Sequence, residues 1–159
     1  MSFEAFRILA EVATGLSGFV GVILVVRSRK DPLSRLRLVG FLQNSLAVLV
    51  FSLLPEFLVA TFGHPILVMR VLCGVLALYH LGIMISYLRK QRSLLAMRLI
   101  QKTVTLLSLP ILALKLSVAA GFFLSYAGNV FYLGLLWHLC IAIHIFSDIV
   151  LLEASNNAA

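Results

Sequence analysis

A chain of 159 residues that is 62% hydrophobic and only 12% charged does not have the composition of a water-soluble domain, which is about half apolar and a quarter charged. Its net charge of +7 would suit a nucleic-acid binder only if the bases shared one water-facing surface. They do not: of the 13 Lys and Arg, Arg27, Arg29, Lys30, Arg35 and Arg37 fall in one short segment, and Arg89, Lys90, Arg92, Arg98 and Lys102 in another. The two cysteines, Cys73 and Cys140, lie far apart within apolar runs, which argues against a disulfide framework or a zinc site.

In chain order, the first apolar run is Phe6 to Val26, and the residues before it lack the basic region and cleavage site of a signal peptide, so it is expected to remain as a helix. The basic segment Arg27 to Arg37, with Asp31-Pro32 inside it, reads as a loop. A second run, Leu38 to Phe62, ends at Gly63-His64-Pro65, a tight break where two helices reverse direction. The third run is Ile66 to Leu88. Between it and the fourth, Arg89 to Lys102 interleaves bases with Leu94, Leu95, Met97, Leu99 and Ile100, the pattern either of a short helix lying on an anionic leaflet or of a solvated loop between frayed helix ends. The fourth run is Val104 to Tyr126. Ala127-Gly128-Asn129 is the next expected break, with Asn129 as N-cap of a fifth run, Val130 to Leu152.

Each run is close to the 20 or so residues that cross a 30 Å hydrocarbon core. The expected fold is therefore all-α, a single polytopic transmembrane bundle of about five spans. The breaks at Gly63 to Pro65 and Ala127 to Asn129 contain no Lys or Arg, so both basic loops lie on one side, the cytoplasmic one, which puts the N-terminus out and the C-terminus in. Anionic headgroups are the expected contact of the ten loop bases.

Ionisable groups at membrane depth are costly and mark functional candidates. Counting 1.5 Å per residue from the outer ends puts Glu11, Glu56 and Arg70 about 6 to 9 Å deep, and Lys115 and His138 about 13 Å deep. Glu56 and Arg70 flank the tight break and are expected to form an ion pair, which leaves Glu11 as the expected partner of Lys115. Ser45, Ser52 and Glu56 share one helical face, as do Thr105, Ser108 and Lys115, so each charge sits on a weakly polar stripe lining either a packed interior or a path for water and ions. Pro55 and Pro110 free backbone carbonyls nearby. Towards the inner side, His144 and Asp148 lie one turn apart, and His80 comes at a similar depth. His80 and His144 on two helices can ligate a b-type haem, although a lone His per helix is more often a packed, hydrogen-bonded side chain. Gly15, Gly18 and Gly21, with Thr14 and Ser17, form a small-residue groove on the first helix, expected to serve internal packing.

The segment from Gly18-Phe19-Val20-Gly21-Val22 through the basic loop to Ser52-Leu53-Leu54-Pro55 resembles small bacterial inner-membrane proteins that carry no assigned activity. That resemblance covers roughly the first half of the chain and implies a bacterial cytoplasmic membrane. Phe146-Ser147-Asp148 is similar to the Phe-Ser-Asp of the lysosomal-type potassium channel family, but Ala142 stands where that motif has Arg and the triplet is on the last span, so no residue is carried over. The chain contains no phosphate loop, dinucleotide-binding glycines, metalloprotease or hydrolase motif. The expectation is a non-catalytic accessory or assembly subunit, with a membrane-protein partner or a second copy of itself and no nucleic acid. The alternatives are an oligomeric ion or proton pathway and a haem-bearing anchor.

Overall fold

The computed structural model describes residues 3–26, 32–90 and 99–157. They form five helices, α1 (Glu4–Val26), α2 (Pro32–Phe62), α3 (Pro65–Lys90), α4 (Leu99–Ala119) and α5 (Ala127–Asn157), with one 3-10 turn, Leu124–Tyr126, ahead of α5. Helix accounts for 94% of the structure, and no strand occurs among the described residues. Among the described residues three stretches are long and apolar enough to cross a membrane, Leu38–Phe62, Pro65–Ser86 and Leu124–Ser147, while α4 contributes a shorter apolar stretch, Val104–Ala119. Large apolar side chains such as Phe57, Leu78 and Leu106 face outward, as a lipid-embedded surface requires. The chain is thus helical, with the hallmarks of a membrane protein.

The helix ends follow from local backbone chemistry. At the first break Gly63 adopts φ 68°, and its N–H bonds back to the Val59 carbonyl at 2.9 Å, an αL cap that only glycine takes up without steric cost. Pro65 then occupies the first position of α3, where its missing N–H costs nothing. The second break is not where the sequence suggested. Ala127-Gly128-Asn129 is the start of α5, and Asn129 lies inside that helix rather than capping it. The chain turns instead after Ala119: Gly121 has φ 102°, Gly121 N–H reaches the Val118 carbonyl at 3.0 Å, and Phe122 N–H reaches the Ser117 carbonyl at 2.9 Å. Those two bonds make a Schellman motif, which satisfies the terminal carbonyls of α4 and ends it seven residues before Tyr126. At the other end, α2 begins at Pro32, so Arg35 and Arg37 belong to its first turns rather than to a loop. Residues 91–98, the middle of the expected interfacial helix, lie outside the described residues, as do Arg27, Arg29 and Lys30.

The chain divides into two compact units. In Leu54–Trp137, α3 and α4 run antiparallel, brought close where a Cβ on Gly74 would stand 3.4 Å from the Ala119 Cβ. Met69, Leu72, Leu76 and His80 recur every three or four residues on α3 and are all buried, so one face of this helix is its core face. In the other unit, Ser2–Leu53 with His138–Ala159, a cluster of Leu38, Phe41 and Ala142 is packed by Leu16, Ile145 and Phe146. Phe146 receives Phe19 edge-on at 5.8 Å and Phe41 at 5.9 Å. Of the small-residue groove of α1, Ser17 buries its Oγ, whereas nothing among the described residues lies within 4 Å of a Cβ built at Gly15, Gly18 or Gly21, so the three glycines do not make the close internal contacts expected of them there.

Candidate functional site

Lys115 is fully buried, at 0% exposure, although its backbone lies only four residues from the end of α4, about 6 Å rather than the 13 Å expected from a longer helix. Side chains on a helix tilt towards its N-terminus, so the stem of Lys115 runs away from the turn and deeper along α3. There its Nζ meets Nδ1 of His80, itself 3% exposed, at 2.7 Å. On the α5 side, Gly134 closes over the stem, for a Cβ at this position would lie 3.0 Å from Lys115 Cδ and 3.1 Å from Leu76 Cδ2. Cys73, buried on the same face of α3, directs its Sγ to the Ala127 carbonyl at 3.6 Å. The partner of Lys115 is thus a histidine one helix away, where the sequence had pointed to Glu11; the Glu11 side chain is exposed.

The chemistry of this contact is restrictive. An ammonium has donors and no acceptor, and a protonated imidazole likewise has two donors, so a 2.7 Å contact between them requires that one of the two be neutral. The pair carries at most one positive charge. When the ammonium donates to Nδ1, the imidazole proton sits on Nε2, the nitrogen that a haem iron would need bare. Hydrogen positions here follow from donor and acceptor chemistry.

The remaining polar groups are also used between helices. Arg70 donates Nε–H to the Ala119 carbonyl at 2.9 Å, and its guanidinium lies against Gly121, so it caps the negative end of α4 from α3. Glu56, its expected partner, is half-buried on α2. Trp137 donates Nε1–H to the buried Ser108 Oγ at 2.9 Å. In the second unit His138, 1% exposed, donates Nδ1–H to Asn44 Oδ1 at 2.8 Å, and Asn44 passes the interaction on through Nδ2–H to the Gly40 carbonyl at 2.8 Å. Ser45 and Ser52 are buried as their stripe implied, and neither hydroxyl has a hydrogen-bond partner among the described residues.

Sequence reasoning passed over Asn44 and Gly134. An amide in the middle of an apolar span is a usable signal of an interhelical bond, and Asn44 is one. Nothing local to Gly134 reveals that a lysine stem crosses it. Of the inner cluster, His80 is drawn to Lys115, His144 is half-buried, and the side chain of Asp148 lies outside the described residues. Arg89 is exposed; the side chains of Arg35, Arg37, Lys90, Arg92, Arg98 and Lys102 are outside the described residues. No family model, curated protein or solved structure matches this chain.

Proposed function

We propose that this is a five-span protein of the bacterial cytoplasmic membrane, N-terminus outside and C-terminus inside, that serves as a non-catalytic accessory or assembly subunit. The observation that carries the reading is the Lys115 to His80 contact at 2.7 Å, sealed by Gly134. A buried cation spent on a neighbouring helix and packed against backbone is a clamp that fixes how helices associate. The other polar contacts, Arg70 to Ala119, Trp137 to Ser108 and His138 to Asn44, are of the same kind. For the orientation, His64→Cys and Ser125→Cys are expected to label from outside intact cells, and Lys30→Cys and Arg92→Cys only after permeabilisation. External labelling at Lys30 would overturn it.

One observation favours a second reading, a proton pathway: the pair that can hold only one charge is also a pair across which one proton can pass. Gentle purification followed by reconstitution separates the two. The accessory reading expects a stoichiometric membrane partner or a second copy, no Soret band, and no pH-driven flux above that of protein-free liposomes. Flux that disappears in Lys115→Met would establish the pathway instead, and a Soret band would establish the haem anchor.

A further inference from the structure

The outward faces of α2, α3 and α4 carry large apolar side chains, among them Leu46 and Val50, Val75 and Leu78, and Leu106 and Leu109, all exposed. Such faces are what acyl chains cover well. α1 is different. Its buried face is Phe6, Leu9, Ala10 and Ala13, and the opposite side of the helix presents Arg7, Glu11, Gly15 and Gly18, all exposed and one turn apart along a single stripe. Nothing among the described residues lies within 4 Å of a Cβ built at either glycine, so bare backbone faces outward there. Thr14, beside them, turns its hydroxyl back onto the Ala10 carbonyl at 2.8 Å. Glu11 has no hydrogen bond or ion pair among the described residues. A lone carboxylate beside bare backbone is a poor surface for lipid, because a charge within a span needs a counter-charge and glycine gives an acyl chain no side chain to pack on.

We propose that this face of α1 is the seam of a symmetric dimer, in which Gly15 and Gly18 pack against the same face of a second copy of the chain and each Glu11 pairs with the partner's Arg7. Charge and symmetry select this occupant. Two copies in one membrane share an orientation, so a two-fold axis along the membrane normal lays their α1 helices parallel, with like residues facing each other. Glu11 alone would meet a second carboxylate on such a seam. Arg7, however, lies one turn away on the same stripe, so a long side chain reaching across forms two symmetry-related ion pairs in place of two repulsions. The face therefore carries both halves of the pair it needs, and a second copy satisfies it without any further protein. Thr14 and Gly18 supply the small-xxx-small spacing that lets two backbones approach closely at depth. The proposal rests on the five-span reading, which places α1 in the bilayer, and it names the second copy that the accessory role leaves open.

The mass of the full chain in mild detergent, followed through a dilution series, provides the test. The wild type is expected to be a dimer. Gly18→Leu, at a position with open space around it in the single chain, should keep the fold and weaken the dimer by on the order of a hundredfold, because it holds the two backbones apart. Glu11→Arg sets base against base along the seam and should also dissociate the dimer. Adding Arg7→Glu to it exchanges the two charges and should restore association to within about tenfold of the wild type, a recovery that only a seam between identical copies allows. A wild type that is monomeric at every concentration, an undiminished dimer in Gly18→Leu, or a charge exchange that recovers nothing would each overturn the proposal, as would a different membrane protein cross-linked stoichiometrically to Gly18→Cys. Release of the wild type from membranes by alkaline carbonate would overturn the membrane reading itself, whereas a chain that stays embedded and is monomeric overturns the dimer alone.

Discussion

Gly134→Leu is expected to destabilise the Leu54–Trp137 unit by about 3 kcal/mol, the upper part of the range for overpacking a filled interior. A single Cβ at this position already comes within 3.0 Å of Lys115 Cδ and 3.1 Å of Leu76 Cδ2, and leucine adds three further carbons in the same direction. Neither neighbour has a free route of retreat. Lys115 is tied at its tip to His80, and Leu76 is fully buried. Gly134→Ala is a different case, since a shift of a few tenths of an ångström accommodates it and alanine gains roughly 1 kcal/mol of helix propensity over glycine. The two substitutions should therefore diverge sharply in a thermal unfolding series in one detergent. Tolerance of leucine would show that the lysine stem does not cross α5 at this point.

Much of the fold is legible in the sequence because lipid imposes a simple rule: apolar runs near 20 residues must be helical. The second helix ends at Phe62, where hydropathy alone ends that run, although it begins at Pro32 and not at Leu38. The break at Gly63 is equally plain, since glycine followed two residues later by proline leaves the helix no continuation. The second break was misplaced for a physical reason. Gly121 stands between Ala120 and Phe122 and Gly128 between Ala127 and Asn129, and hydropathy cannot tell which adopts a positive φ; the Schellman bonds to Ser117 and Val118 decide it in three dimensions.

The site was legible only in outline. Lys115 stands out as an isolated cation on an apolar helix, but its depth was not legible, because its burial follows from a stem that points away from the nearby end of α4 towards His80. Its partner was not legible, because pairing by opposite charge favours carboxylates, whereas a neutral imidazole accepts from an ammonium just as directly. The carbonyl that Arg70 caps was not legible either, because the α4 terminus was hidden while that helix was read as running on to Tyr126.

The central claim is that Lys115 and His80 act together as a structural clamp between α3 and α4, and a double-mutant cycle in a common detergent measures it most directly. His80→Leu leaves a buried ammonium with no base, so a loss of about 3 to 5 kcal/mol is expected. Lys115→Met leaves only a neutral imidazole nitrogen unsatisfied, a loss of about 1 to 3 kcal/mol. The double variant, His80→Leu with Lys115→Met, replaces a polar contact by two apolar side chains of similar size and should approach wild-type stability, because a buried polar pair exchanged as a unit costs little. The account thus predicts a double variant more stable than either single one, with a coupling that approaches the sum of the two single losses, about 4 to 8 kcal/mol. Additive losses, with the double variant the least stable of the four proteins, would contradict it.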